Sequence, residues 1–133
     1  MDKPTIAITM GDAAGIGPEL IVKILNQPTV YEQCNPLLIG DPEVMREICQ
    51  IVGAELRFQR IDEPTDARFS PPVVDVLHPD GLQIDHVAWG QLDPGMGHAA
   101  AQCLKTSFEL AAKGQVHGVV SAPLNKEAFH QAG

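Results

Sequence analysis

Short apolar runs that suit buried β-strands alternate with helical segments along this chain. Residues 5–10 (TIAITM) and 36–40 (PLLIG) are almost continuously apolar, as expected of strands that are buried on both faces. Strands that alternate with helices form parallel β-α-β units, in which helices cover both faces of the sheet. The sequence therefore predicts an α/β fold with a mainly parallel sheet, in a single α/β unit over residues 1–133.

Prolines, glycines and one aspartate mark the ends of the first two predicted helices. The first is predicted to start at Pro18 and to stop at Pro28, because proline is favoured at the first helical position and interrupts a helix interior. Asp41 is predicted to cap the second, over residues 42–52, and Gly53 to close it. The expected apolar stripe of the first helix is Leu20, Ile21, Ile24 and Leu25, and that of the second is Val44, Met45, Ile48, Cys49 and Val52.

The remaining segments complete the predicted alternation. A third long helix is expected from Asp93-Pro94, or from nearer His98 because Gly95 and Gly97 weaken the first turn, to Lys113-Gly114. Its expected apolar face is Ala100, Cys103, Leu104, Ser107, Phe108 and Ala111. Further strands are predicted over residues 55–61, 73–77 and 116–120, an irregular connection over 78–92, and a short helix that Asn125 caps and Gly133 ends.

Composition limits the partners and the compartment. The 133 residues carry a formal net charge of −8, with 9 basic and 17 acidic residues, and no Lys/Arg cluster occurs. Such a surface repels phosphate backbones and anionic lipid, so we expect no nucleic-acid or membrane partner. The opening MDKPTIAITM has only a short apolar run and predicts neither a signal peptide nor a membrane span, so we expect a cytoplasmic protein. The three cysteines, Cys34, Cys49 and Cys103, form no C-x-x-C pattern and are predicted to be reduced thiols, two of them buried on helix faces.

The turn ITMGDAAGIGPE, residues 8–19, raises the first functional question. Its glycines, Gly11, Gly15 and Gly17, match neither the G-x-G-x-x-G spacing of dinucleotide folds nor a P-loop. A glycine-rich turn that leads into a helix N-terminus can still present backbone N–H groups to an anion. Asp12 and Glu19 oppose this, because they add negative charge there. A tight structural turn and a ligand-facing loop both remain open.

A second candidate is SAPLNK, residues 121–126, which follows a predicted strand. Ligands of open α/β sheets bind at such strand ends. Lys126 would lie in the first turn of a helix that Asn125 caps, where a cation opposes the helix dipole unless an anion is bound nearby. A solvated lysine and an anion or substrate contact are equally compatible with the sequence.

The five histidines give no metal motif. His78, His86, His98, His117 and His130 show neither H-x-x-x-H nor H-E-x-x-H spacing. His98 is the most site-like, because it follows a glycine-rich turn at a predicted helix start, although a capping or surface role suits it as well. No metal site is therefore predicted from residues that are neighbours in the sequence.

Three segments in the same order resemble one enzyme family. ITMGDAAGIGPE, GQLDPGMGHAAAQCLK and SAPLNKEAFHQAG resemble the 4-hydroxythreonine-4-phosphate dehydrogenase family of vitamin B6 synthesis. The family's opening, T-M-G-D-P-A-G-I-G-P-E, differs here only at Ala13. ARFSPPVVDV and SAPLNKEA are closer to the paralogous branch that oxidises 4-phospho-D-threonate or 4-phospho-D-erythronate.

The resemblance implies a function and a site. It implies a homodimer of two-domain α/β/α subunits of the isocitrate/isopropylmalate dehydrogenase type, of which this chain is the N-terminal portion. It also implies NAD or NADP, a divalent metal (Zn, Mg or Co) and a small phosphorylated hydroxy-acid substrate. The candidates near substrate or cofactor are Gly11, Asp12, Gly15, Gly17, Asn125 and Lys126.

The same resemblance implies that important residues lie elsewhere. In the family, a substrate-contacting G-H-T-E stretch, the metal-binding histidines and further phosphate-binding residues follow the position that matches Gly133. We therefore expect no catalytic residue and no metal ligand in this chain, and no activity of the chain alone. The alternative is a free-standing α/β module that binds a small phosphorylated metabolite without catalysis.

Overall fold

The computed structural model describes residues 3–11, 17–82, 84 and 94–121. Its strands are β1 (Thr5–Thr9), β2 (Asn35–Ile39), β3 (Arg57–Ile61), β4 (Val73–Leu77) and β5 (Gly118–Ser121). Its α-helices are α1 (Gly17–Leu25), α2 (Pro28–Gln33), α3 (Pro42–Val52) and α4 (Pro94–Ala112), and a 3₁₀ turn spans Pro64–Asp66. The described strands form one parallel sheet in the order β3-β4-β2-β1-β5. The predicted α/β class and parallel sheet are confirmed.

Helices cover both faces of the sheet. On one face, side chains of α1 and α3 pack in a cluster that includes Leu38 of β2. On the other face, α4 packs in a second cluster that includes Leu37 and Ile39. Because successive side chains of a strand point to opposite faces, β2 contributes to both cores. This double burial explains why the sequence of β2 is apolar without alternation.

The structure corrects the predicted stripe of the first helix. Ile21 and Leu25 are buried as predicted, but Leu20 and Ile24 are exposed, and Val22 is fully buried in their place. The five apolar side chains surround more than half of the helix, so spacing alone does not determine which of them face the sheet. The contact between α1 and α3 adds Val22 to the buried set.

Two further differences concern helices. Pro28 was predicted only to stop the first helix, but it also begins α2, where a proline at the N-terminus fits because its missing N–H has no helical partner. Phe108 was predicted on the buried face of the third helix, yet 56% of its surface is exposed. Leu110 is buried instead, because the face of α4 toward the sheet is centred on Cys103 and Ser107.

The termini of α3 follow the sequence signals closely. Asp41 caps its N-terminus, Pro42 is the first helical residue, and Gly53 ends it with a left-handed φ of 80°. Both cysteines predicted to be buried, Cys49 and Cys103, are buried. No α-helix in the described ranges is long and apolar enough to cross a membrane.

Candidate functional site

All described strands run in the same direction, so their carboxyl ends meet along one side of the sheet. We call this side the carboxyl edge and define it by Gly11, Gly40, Asp41, His78 and Ser121, which lie at or just after the ends of β1, β2, β4 and β5. In open α/β sheets, ligands bind beyond the carboxyl ends, where the strand order changes direction. Here β2 and β5 lie on opposite sides of β1. The end of β1 is therefore the expected ligand position.

The register of β1 and β5 brings the two predicted loops to neighbouring starting points. Thr9 pairs with Ser121, so ITMGDAAGIGPE and SAPLNK leave the sheet from adjacent strand ends. Gly11 is buried and has a φ of 75°, a conformation that favours glycine, and Gly17 is buried at the start of α1. Asp12, Gly15, Asn125 and Lys126 lie outside the described residues, and their ligand contacts stay predictions.

Close packing fixes the ends of β1 and β2 relative to each other. Met10 is fully buried, and its N–H donates to the Ile39 carbonyl at 3.0 Å. A Cβ atom at Gly40 would lie 2.9 Å from the Cβ of Met10, closer than such atoms normally approach. Gly40 is therefore required for this approach, and it holds the start of the Gly11 turn against β2.

Asp41 closes the N-terminus of α3 with its own carboxylate. Its Oδ1 accepts hydrogen bonds from the backbone N–H groups of Glu43, at 2.8 Å, and Val44, at 3.4 Å. These N–H groups are the ones that would otherwise bind an anion at a helix N-terminus. The N-terminus of α3 is consequently not a phosphate site in this structure.

The other carboxylate oxygen of Asp41 faces a histidine. Oδ2 lies 3.8 Å from Nε2 of His78, and the two side chains are only 11% and 13% exposed, respectively. The contact is an ion pair when the imidazole is protonated. An imidazole beside a carboxylate at a sheet edge can hold or transfer a proton.

Sequence reasoning missed this pair. No short spacing links Asp41 to His78, and the adjacency of β2 and β4 was not predicted. The usable signal was that each residue comes directly after a predicted strand.

Two other histidines lie away from this pair. His98 is an exposed residue of α4. His117 lies at the opposite side of the sheet, where its Nδ1 accepts a hydrogen bond from the Thr5 N–H at 3.0 Å.

A cleft of about 330 Å³ adjoins His78 and runs along one side of α4. Its charged side chains are Asp62, Glu63, Asp80, Lys105, Glu109 and Lys113. Four of these groups are carboxylates and two are lysines, and Lys105 already lies 4.0 Å from Glu109. The cleft therefore has no net preference for an anion.

Asp41 also influences a buried thiol of α4. Burial, and secondly the negative charge of Asp41, raise the pKa of Cys103 to about 12. A thiol with such a pKa stays protonated at neutral pH and is a poor nucleophile or metal ligand. Within the described residues, no group of three His, Cys, Asp or Glu side chains could hold a metal ion.

The fold and the carboxyl edge define a parallel α/β protein of the kind that binds small ligands at its strand ends. The family model described as "Pyridoxal phosphate biosynthetic protein PdxA" matches residues 32–133. The chain therefore belongs to the PdxA family, in agreement with the resemblance of its three motifs.

Relatives match over nearly the whole chain. A solved structure, a 4-hydroxythreonine-4-phosphate dehydrogenase from Burkholderia phymatum, is 44% identical with a TM-score of 0.95 over 100% of this chain. A second one, from Klebsiella pneumoniae, is 33% identical with a TM-score of 0.88 over 98% of this chain. A curated relative from Symbiobacterium thermophilum, named "Putative D-threonate 4-phosphate dehydrogenase", is 38% identical over 98% of this chain. This chain spans only 39% to 40% of the length of these relatives.

Proposed function

We propose that this chain is the N-terminal portion of a two-domain, NAD(P)-dependent dehydrogenase that oxidises 4-phosphohydroxy-L-threonine or the related 4-phospho-D-threonate. The observation that carries the proposal is the match, over the full chain, to a 4-hydroxythreonine-4-phosphate dehydrogenase with 44% identity. The relative named for D-threonate 4-phosphate supports the second substrate. Both substrates are small phosphorylated hydroxy acids. The full-length protein is proposed to be a cytoplasmic homodimer with its active site between the two domains.

The proposed reaction has two steps. The secondary alcohol of the substrate loses a hydride to the nicotinamide ring and a proton to a base, which leaves a β-keto acid. The keto acid then loses CO₂, and the resulting carbanion is protonated at carbon. NAD(P) supplies the hydride acceptor, and a divalent cation would stabilise negative charge on the substrate oxygen.

The described residues do not fit a metal site. They contain no cluster of three potential ligands, and the pKa of Cys103 opposes its ionisation. The N-terminus of α3 is filled by Asp41 and offers no free N–H groups to a cofactor phosphate. The resemblance of the motifs implies metal ligands beyond the position that matches Gly133, so we propose them there and assign no metal-dependent step to this chain.

The proposed contribution of this chain is the wall of the site at the carboxyl edge. The adjacent ends of β1 and β5 start the two loops that contain Gly11, Gly17, Asn125 and Lys126. A loop cation such as Lys126 would neutralise a substrate phosphate. The chain alone lacks the rest of the site and is proposed to be inactive.

A fusion protein tests this proposal. Residues 1–133 replace the matched 40% of the Burkholderia phymatum relative, and reduction of NAD and NADP is followed with each of the two substrates. We expect turnover that EDTA abolishes and a divalent cation restores, and no turnover by the chain alone. A folded fusion that oxidises neither substrate would contradict the proposal, and so would EDTA-resistant turnover.

A further inference from the structure

A cleft lies on the α4 face of the sheet, where β3 and β4 extend beyond the cover of that helix. The helix α4 packs mainly against β1, β2 and β5, and the connection from β3 to β4 contains only the 3₁₀ turn Pro64–Asp66. The cleft of about 330 Å³ that adjoins His78 occupies this gap, and its apolar lining includes the buried Leu77 and Leu110. Small-molecule sites have volumes of about 300 to 1,000 Å³. The cleft is therefore large enough for a small metabolite.

The imidazole of His78 lines this cleft in an orientation that Asp41 fixes. The Asp41 carboxylate is held through Oδ1 by the N–H groups of Glu43 and Val44, and its Oδ2 faces Nε2 of His78. A neutral imidazole that presents one N–H to a carboxylate leaves its other nitrogen as an acceptor. This second nitrogen, Nδ1, has no hydrogen-bond partner among the described residues. Polar groups as little exposed as this side chain usually have a partner, so Nδ1 is suited to a hydrogen-bond donor in the cleft.

Two carboxylates lie at the same end of the cleft as His78. Ile61 and Leu77 pair in register at the ends of β3 and β4, so Glu63 and Asp80 follow adjacent strand ends. Both line the cleft, and neither forms an ion pair within the part of the chain that the structure describes. We call Glu63, His78 and Asp80 the acidic end of the cleft. An ammonium group has three N–H donors, which matches two carboxylates and one imidazole nitrogen.

The opposite wall of the cleft, along α4, carries basic and amide groups. Gln102 lies beside the acidic end, because its Nε2 is 4.0 Å from the position that a Cβ atom would take at Gly81. Lys105 and Lys113 follow on the same flank of the helix. Lys105 pairs only with Glu109, in an exposed contact that contributes little, and Lys113 forms no ion pair with a described residue. These donors suit a carboxylate.

We propose that this cleft binds a small zwitterion, whose ammonium group lies at the acidic end and whose carboxylate contacts the lysines of α4. A simple anion would meet four carboxylates there, and a simple cation would meet two lysines. A metal ion is a poor occupant, because no group of three potential ligands occurs in the described ranges. The cleft opens at the end of β4, and β2 separates it from the end of β1. The inference does not depend on which reaction the protein catalyses.

A nuclear magnetic resonance titration of the ¹⁵N-labelled 133-residue chain tests the inference without any assay of activity. The probes are glycine, β-alanine and 4-aminobutyrate, three zwitterions whose charges are separated by increasing distances. Propylamine and propionate are the matched controls, because each lacks one of the two charges of β-alanine. The ring ¹⁵N signals of His78 report the cleft. Those of His117 serve as the internal reference, since His117 lies at the opposite side of the sheet and does not line the cleft.

We expect at least one zwitterion to shift the His78 signals saturably, with half-saturation at about 1 mM or below, while the His117 signals stay unchanged. Propylamine and propionate should bind at least about tenfold more weakly, because each satisfies only one end of the cleft. The inference would be overturned if none of the three zwitterions gave a saturable shift at His78. Propylamine or propionate binding as tightly as β-alanine would also overturn it, because the cleft would then select a single charge.

Two substitutions that remove the same charge locate the binding. Asp80→Asn should raise the half-saturation concentration about fivefold or more, because it removes a charge from the acidic end. Glu55→Gln is the matched control, since Glu55 is also exposed but does not line the cleft, and it should leave binding unchanged. Equal weakening by both would overturn the inference, since net charge would then explain it. Circular dichroism checks the fold of each variant.

The outcome is independent of the proposed reaction. The titration reads binding to the 133-residue chain, whereas the proposed function is read from turnover of the fusion protein. A fusion without turnover, together with a saturable zwitterion titration, would refute the proposed reaction and leave this inference standing. An active fusion without saturable binding at His78 would do the reverse.

Discussion

At the residue scale, Asp41 connects three parts of the candidate site. Its carboxylate caps α3, faces His78 across 3.8 Å, and adds to the effect of burial in raising the pKa of Cys103. The capping role was predictable, because Asp-Pro-Glu before an apolar helical pattern is a standard helix start. The contact with His78 was not predictable, because it depends on β4 lying beside β2, which local sequence does not encode.

Substitution of Asp41 separates these roles. Asp41→Ala should lower the free energy of unfolding by about 1–2 kcal/mol, because the N–H groups of Glu43 and Val44 lose their acceptor. Asp41→Asn is the matched control, since the amide oxygen can still cap the helix but carries no charge. Urea unfolding at neutral pH measures the free energy of unfolding of both variants. If Asn costs as much as Ala, charge rather than capping is the main contribution of Asp41.

The approach of Gly40 to Met10 gives a second prediction at this scale. Gly40→Ala places a Cβ 2.9 Å from the Cβ of Met10, a backbone-anchored atom that cannot move away easily, and should cost about 1–3 kcal/mol. In Gly118→Ala, the new Cβ meets only the terminal methyl of Ile6, at 3.2 Å, so the cost should be smaller. Thermal unfolding measures the loss of stability in both variants. Equal losses would argue against the close approach of Gly40 to Met10.

At the element scale, sequence predicted where the long helices lie better than how they are rotated. Turn residues set the ends of α3, and continuous apolar runs marked β1 and β2, because these signals are local. Ile24 and Phe108 were assigned to buried faces on spacing, yet both are exposed. Helical spacing shows which side chains share a stripe, but not which stripe faces the sheet.

The rotation of α1 can be measured directly. Val22→Ala should lower the free energy of unfolding by about 1–3 kcal/mol, because Val22 is fully buried between α1, α3 and the sheet. Leu20→Ala removes more carbon atoms but should cost less, because Leu20 is 40% exposed. Urea unfolding of the two variants shows which substitution lowers the free energy of unfolding more. A larger loss of stability for Leu20→Ala would support the buried stripe that the sequence predicts.

At the scale of the whole molecule, buried ionisable groups limit stability in alkali. Burial raises the pKa of Cys103 from 9.0 to about 12, and burial with the charges of Asp75 and Cys34 raises that of Tyr31 from 10.0 to about 12. The unfolded chain therefore releases these protons at lower pH than the folded chain. Stability is fully present below pH 9 and is lost progressively as the pH rises from 9 toward 12.

Denaturant unfolding across this pH range checks the assignment. Cys103→Ala should flatten the decline that begins near pH 9, and Tyr31→Phe should flatten the part that begins near pH 10. Each variant changes packing as well, but a packing change shifts stability equally at every pH. A decline with the same slope in both variants as in the native chain would exclude these two groups as its cause.

The sequence motifs also identify the family, but they do not show where most residues of the candidate site lie in the fold. The motifs ITMGDAAGIGPE and SAPLNK were recognised separately, and only the pairing of Thr9 with Ser121 shows that they start side by side. The strand order that makes them neighbours is a property of the whole sheet.

We propose that this carboxyl edge serves the active site of a phosphorylated hydroxy-acid dehydrogenase. The most direct test is kcat/KM of the fusion that contains residues 1–133, measured beside the parent Burkholderia phymatum enzyme and with matching circular dichroism as the check on folding. We expect kcat/KM of the fusion to lie within about tenfold of that of the parent, which is a loss of about 1.4 kcal/mol of transition-state stabilisation or less. A fusion that folds like the parent but has no measurable turnover would contradict the claim.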